Sequence, residues 1–116
     1  MTQDASSESQ VQHELELDRE ARLAEEKQLR YVLSSFEGRA LIWRVIESIA
    51  GTFAPSYTAG DQYHTAFNEG SSHVGRSLML LCQQIEPKLY LQMLSEAQEK
   101  KLLDMDRRNR VRSDHT

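Results

Sequence analysis

Residues 63–85, YHTAFNEGSSHVGRSLMLLCQQI, carry the pattern that decides the fold. Their apolar side chains recur at steps of three, four or seven: Tyr63, Ala66, Phe67, Val74, Leu78, Leu81 and Ile85. This spacing places them on one stripe of a helix, and we expect the stripe to be buried. Gly70 lies on the stripe and Gly75 beside it, although a glycine inside a helix costs about 1 kcal/mol relative to alanine. Two such glycines predict either that another backbone approaches closely here or that the helix bends or breaks.

A second apolar helix precedes the central one. Ser35 is a suitable N-cap, and Gly51 is a suitable stop signal, so the helix is expected to run from Phe36 to about Ala50. Its apolar positions cover most of the circumference: Phe36, Ala40, Leu41, Ile42, Trp43, Val45, Ile46, Ile49 and Ala50. The remaining side is polar, with Glu37, Arg39, Arg44 and Glu47. We expect Trp43 to fill the gap that Gly70 and Gly75 leave.

Clear boundary signals flank the central helix. The 12-residue segment 51–62 is a long loop that ends at Asp61, a suitable N-cap. Pro87 stops the central helix and starts another, because proline suits the first helical position. The last helix has its apolar face at Leu89, Tyr90, Met93, Leu94 and Ala97, and this face fades past Leu103.

The fold class is therefore all-α, a small bundle of three to four helices with a long polar N-terminal helix and a charged C-terminal tail. Residues 1–28 carry eight acidic and three basic side chains, whereas residues 99–116 carry four acidic and six basic ones. We divide the chain into a flexible polar N-terminus (1–13), a charged helical arm (14–33), a helical core domain (34–103) and a basic tail (104–116). The arm is either a solvated helix docked by its last turns or a segment that packs on a neighbouring subunit.

The residues give no sign of an enzyme, a metal site or a cofactor. His64 and His73 lie on different sides of the central helix, and Glu69 with His73 supplies only two ligands. Cys82 lies in an apolar segment, as a buried and inert thiol does. No apolar run reaches the roughly 18 residues of a membrane span. A secretory signal is not evident at the N-terminus either.

Several short motifs resemble a family of small tailed-bacteriophage proteins, named after a Bordetella phage member and described as a phage domain. The motifs are Glu37-Gly38-Arg39 with Trp43-Arg44, Phe67-Asn68-Glu69-Gly70 with Val74-Gly75, and Pro87-Lys88-Leu89-Tyr90-Leu91. The resemblance covers residues 31–95. The chain departs from the family pattern at Phe36, where the family often has proline, and at Ser71-Ser72, where it has basic residues.

The resemblance implies a non-enzymatic virion or virion-assembly protein, with partners that are other copies or other virion proteins. It would be located in the virion and, during assembly, in the host cytoplasm. An alternative is a small phage protein that binds a host factor through Phe53 and Tyr57, although these aromatics are more simply a lid over the core. A nucleic-acid-associated protein would use Arg107, Arg108, Arg110 and Arg112, but the net charge of −4 argues against it.

Overall fold

A computed structural model describes residues 2–55 and 59–114 of the chain, with side chains from Ser7 onward. The described residues are all-α and contain no strand, as predicted. The elements are α1 (Thr2–Leu33), α2 (Phe36–Arg44) continued by a π-helical turn (Val45–Ile49), α3 (Gln62–Ile85) and α4 (Pro87–Asp114).

The local boundary signals are confirmed. Ser35 caps α2, because its Oγ accepts the backbone N–H of Gly38 at 3.0 Å. Asp61 caps α3 by accepting the backbone N–H of His64 at 3.0 Å. Gly51 adopts a φ of 61°, the left-handed conformation that ends a helix and that glycine tolerates best. Pro87 is the first residue of α4.

The two ends of the chain are more helical than predicted. The helix α1 begins at Thr2 rather than at Glu14, and α4 runs on through the segment predicted as a tail to Asp114. Neither 2–33 nor 88–114 contains a glycine or a proline, so nothing in either segment breaks a helix. The absence of an apolar stripe therefore marks exposed helix here, and not the end of the helix.

The four helical segments meet in a small core, which we call the junction. It consists of Leu33, Ile46, Cys82 and Met93, which come from α1, the π-helical turn, α3 and α4 and are all 0–1% exposed. A ring of half-buried apolar side chains surrounds it: Leu29, Ile42, Trp43, Leu78, Met79, Leu89 and Tyr90. The predicted apolar face of α4 is confirmed, since Met93 is buried and its neighbours on that face are half-buried.

One charged side chain from the polar side of α2 lies beside the junction. Arg39 is buried, and its Nε donates to Glu96 Oε1 at 2.8 Å. Its Nη1 donates to the carbonyl oxygen of Leu33, also at 2.8 Å. Arg39 thereby ties the end of α1 and the middle of α4 to α2, a role that the sequence analysis, which placed Arg39 on the polar side of α2, did not assign.

Gly75 of α3 has a very close neighbour, but that neighbour is not Trp43. A Cβ at Gly75 would overlap Thr52 Oγ1 and stand 3.0 Å from Ala50 Cβ. Ser71 Oγ donates to the carbonyl of Ala50 at 2.7 Å beside it. The predicted packing of Trp43 on the two glycines is therefore wrong, because the chain after the π-helical turn already fills the space at Gly75.

The π-helical turn was predicted as ordinary α-helix. The Ala50 N–H donates to the carbonyl of Val45, five residues back, at 2.8 Å. The carbonyl of Ile46 instead accepts the hydroxyl of Thr52 at 2.6 Å and its backbone N–H at 3.2 Å. The widened turn thus brings Ala50 and Thr52 onto α3, a tertiary requirement that periodicity does not encode.

The molecule is elongated and flat. Its principal extents are 86 × 42 × 15 Å, and its radius of gyration is 21.4 Å. A compact domain of this length has a radius of gyration of about 13 Å. The difference arises because α1 and α4 extend beyond the junction, where all the side chains of residues 7–25 and 98–103 are exposed.

Candidate interaction surfaces

Most of the apolar stripe of α3, predicted to be buried, lies on the surface. Tyr63 is 78% exposed, Phe67 65% and Val74 61%. Leu81 is also exposed, and a Cβ added at Gly70 would meet nothing within 4 Å. Leu78 and Ile85, at the edge of the predicted stripe, are half-buried, and Leu78 packs against the junction. We call Tyr63, Phe67, Gly70, Val74, Ser77 and Leu81 the α3 stripe. The periodicity correctly placed all of these except Ser77 on one face, but that face is directed away from the junction.

The opposite face of α3 is the buried one, and its fully buried side chains are small, although the half-buried Met79 also packs there. Ser72, Gly75 and Cys82 are buried, and the Ser72 hydroxyl donates to the carbonyl of Gly51 at 3.2 Å. Small residues permit the approach of the segment after the π-helical turn. This face was overlooked because serine, glycine and cysteine do not form a conspicuous apolar pattern.

The residues of the resemblance motifs are therefore divided between two environments. Phe67, Glu69, Gly70 and Val74 are exposed, whereas Gly75 is buried and Asn68 is half-buried. The prediction that these residues form one packing motif with Trp43 is therefore wrong.

Gly38, in the first of those motifs, has a structural role that the sequence analysis did not assign. A Cβ at Gly38 would overlap the carbonyl of Val32, so α2 approaches the end of α1 too closely for any other residue. A glycine inside a predicted helix was the available signal for this approach.

Trp43 lies in an open groove of ≈ 470 Å³ between α2 and α4. Its Nε1 donates to Glu47 Oε2 at 2.8 Å, and its ring lies 5.8 Å from the ring of Phe53 at an angle of 35°. Phe53 is nevertheless 59% exposed, so it covers the edge of Trp43 and does not close the groove. Tyr57, the other aromatic predicted for this surface, lies outside the described residues.

The charged ends of the chain form the third surface. Arg107, Arg108, Arg110 and Arg112 are all exposed on the last turns of α4. They share these turns with Asp104, Asp106 and Asp114. Residues 7–25 of α1 are also exposed, and acidic side chains outnumber basic ones among them. The two extended helices thus carry opposite net charge.

Two titratable groups depart from their ordinary pKa. Burial raises the pKa of the Cys82 thiol, which disfavours the reactive thiolate, and Cys82 is buried as predicted. The backbone N–H of His64 lowers the pKa of Asp61, and the His64 side chain, which also contacts this carboxylate, adds to the effect. Both shifts are explained by helix packing and capping.

Within residues 2–55 and 59–114, no cluster of three or more His, Cys, Asp or Glu side chains is placed to hold a metal ion. In the same part of the chain, every helix is too short or too polar to cross a membrane.

No family model matches the chain, and neither the curated proteins nor the solved structures contain a match to it. The resemblance to the phage family therefore stays a prediction, and the argument for function depends on the surfaces described above.

Proposed function

We propose that this chain is a non-enzymatic assembly protein of a bacteriophage, virion-associated or active during virion assembly, that works through helix-mediated protein contacts. The observation that carries the proposal is the amount of surface that the folded chain leaves exposed. Its accessible surface is 9691 Å². A compact monomer of 13.4 kDa exposes about 6,500 Å². A standard protein interface buries about 800 Å² on each partner, so the excess is equivalent to several interfaces.

Much of this excess surface is apolar. Only five hydrophobic side chains are buried among the described residues, and nineteen large ones are exposed. Scattered exposed apolar residues are ordinary, but here they lie along all four helices. An amphipathic helix that is not covered within its own chain is suited to pack against a helix of another.

The charge distribution suggests one contact in the assembly. The acidic segment 7–26 of one copy, which includes most of the arm, would lie along the basic end of α4 of the next, near Arg107–Arg112. The exposed leucines of both helices would be covered in the same contact. Such a head-to-tail contact is heterologous, and it therefore builds rings or filaments.

Sedimentation of the full chain at low and high salt tests this contact. We expect association at low salt that weakens at high salt, because exposed charges are screened beyond about 8–10 Å at ordinary ionic strength. Replacement of the four tail arginines by glutamate should abolish the salt-sensitive component. Glutamate at Arg44 and Lys88, which are exposed but lie outside both segments, is the control.

A truncated chain that begins at Gln28 retains Leu29 and Leu33 but lacks the acidic segment 7–26, so it should lose the same component. A chain that is monomeric in every condition, with no virion protein recovered with it, would contradict the proposal.

The virion assignment depends on the motif resemblance, and it has its own test. Mass spectrometry of purified virions should find the protein at a fixed copy number. Its absence from virions, together with recovery of a host protein that depends on Phe53, would favour the alternative of a host-directed protein. Phe53 is the observation in favour of that alternative, because it is 59% exposed and its ring lies 5.8 Å from that of Trp43.

A further inference from the structure

Gly70 has no function within the folded monomer. It lies in the middle of α3, where glycine weakens a helix relative to alanine. Its backbone does not adopt a positive φ, and a Cβ there would meet nothing within 4 Å. Gly75, five residues further on, is by contrast required by its contact with Thr52. The space above Gly70 is therefore available to another molecule.

The α3 stripe has the spacing of a helix–helix seam. Its residues 63, 67, 70, 74, 77 and 81 follow one another at alternating steps of four and three, the a/d spacing of a coiled coil. Large side chains occupy four of these positions, and Gly70 and Ser77 occupy the other two. Ser77 can be buried there without loss, because its hydroxyl already donates to the carbonyl of His73 at 2.9 Å.

We infer that the α3 stripe is the contact between two copies of this chain, with their α3 helices packed antiparallel about a two-fold axis near position 72. In this register Val74 of each copy lies over Gly70 of the other. Phe67 lies over Ser77 in the same way, and Tyr63 meets Leu81 at both ends. Each side chain in the middle of the seam is thus matched with a small one, as close packing of two helices requires.

The sizes of the stripe residues favour the antiparallel orientation. Ala66 and His73 flank the stripe on one side, and Ser71 and Leu78 flank it on the other. Parallel packing would oppose Phe67 to Phe67 and leave a gap between the two Gly70 residues.

A second copy of the chain fits this surface better than an unrelated protein because the stripe is complementary to itself. A two-fold contact requires one surface to match its own rotated image, and the α3 stripe does so because the rotation places Val74 over Gly70 and Phe67 over Ser77. The inference rests on the assembly function proposed above, for which it supplies a second contact that does not involve the arm or the tail.

Sedimentation equilibrium of the full chain at high salt isolates this contact, since salt screens the contact between arm and tail but not an apolar seam. We expect the wild-type chain to be a dimer. Gly70→Leu should weaken dimerisation by roughly 30-fold or more, the loss that corresponds to an interface hot spot. The helix content and melting temperature of its monomer should not fall, because the monomer has room for the leucine.

Two matched substitutions exclude a general effect of surface charge. Phe67→Glu should weaken the dimer at least as much as Gly70→Leu does, whereas Leu91→Glu, at the almost equal exposure of 64%, should not. Retention of wild-type affinity by both Gly70→Leu and Phe67→Glu would overturn the inference.

Cysteine cross-linking tests the antiparallel register. In that register the two copies of position 73 are offset by about 3 Å along the axis, whereas the two copies of position 66 are about 18 Å apart. His73→Cys should therefore form a disulfide-linked dimer on mild oxidation, and Ala66→Cys should not. Equal cross-linking by both variants, or by neither, would overturn the register.

The outcomes separate this inference from the arm-and-tail proposal. A dimer that persists at high salt and is abolished by Gly70→Leu supports the α3 contact, even if substitution of the tail arginines has no effect. Association that occurs only at low salt and is unaffected by Gly70→Leu supports the arm-and-tail contact and rejects the α3 contact.

Discussion

The two faces of α3 are reversed relative to those of a helix in an ordinary compact domain, in which the large apolar residues face the core. The buried residues on the face towards the junction are Ser72, Gly75 and Cys82. All three are small, and Ser72 and Gly75 are not hydrophobic in the usual sense. The face towards solvent carries Tyr63 and Phe67, which are large and apolar. Small residues bring backbones close within one chain, and the large residues are left for a contact between chains. Burial within a chain is thus a matter of fit as well as of hydrophobicity.

Exchange of glycine for leucine should separate the two faces most clearly. Gly75→Leu should destabilise the fold by about 3 kcal/mol, because the side chain would overlap Thr52 and Ala50. Gly70→Leu, measured at a concentration where the chain is monomeric, should leave stability unchanged or raise it by up to about 1 kcal/mol. Denaturant titration of both variants gives the comparison, and equal losses would contradict it.

Removal of one hydroxyl beside the buried face of α3, and of one on its exposed face, should have smaller effects. Thr52→Val should cost about 1–2 kcal/mol, because the buried Thr52 hydroxyl donates to the carbonyl of Ile46 at 2.6 Å. Ser77→Ala, on the solvent face, should change stability by less than about 0.5 kcal/mol. If the two substitutions have the same effect in thermal unfolding, the hydrogen bond beside the π-helical turn does not contribute to the fold.

The thiol on the buried face should make stability depend on pH at the alkaline end. Burial raises the pKa of Cys82 above its ordinary value of 9.0, so the unfolded chain loses its proton first. Stability is therefore fully present below pH 9.0 and falls as the pH rises above it. The fall should be smaller in Cys82→Ala, which has no thiol to titrate. Native protein should also react with a thiol reagent more slowly than denatured protein does.

The smallest effect is expected at the exposed start of α3. The His64 backbone N–H lowers the pKa of Asp61 below 3.8, so the folded chain keeps this carboxylate ionised to lower pH than the unfolded chain does. The resulting stability is present above pH 3.8 and is lost as the pH falls through the lowered value. Asp61→Asn keeps a capping side chain and removes the titration, so its melting temperature should depend less on pH in this range.

Boundaries that depend on neighbouring residues were predictable from the sequence. Ser35, Asp61 and Pro87 act within one turn of their own helix, so no tertiary information is needed to place them. Arg39 is different, because its burial depends on Glu96, which is 57 residues away in the chain. The same limit applies to the π-helical turn.

The candidate site was predicted in part for a related reason. Periodicity shows that Tyr63, Phe67 and Val74 share a face, but it does not distinguish burial in the same chain from burial in another. The small-residue face of α3 gave no periodic apolar signal, so the larger face was assigned to the core. An exposed glycine with no neighbour is the observation that separates the two cases, and it requires coordinates.

The order in which the junction residues are synthesised has a consequence for how the chain folds. Leu33, Ile46, Cys82 and Met93 come from all four helical segments, so the core does not close until Met93 has been translated. Until then α3 lacks the cover that α4 supplies, and the α3 stripe is also exposed, while other copies are being made nearby. Intermediates with uncovered apolar surface are prone to aggregate at micromolar concentrations. The chain should therefore benefit from chaperones at high expression, more than its small size would suggest.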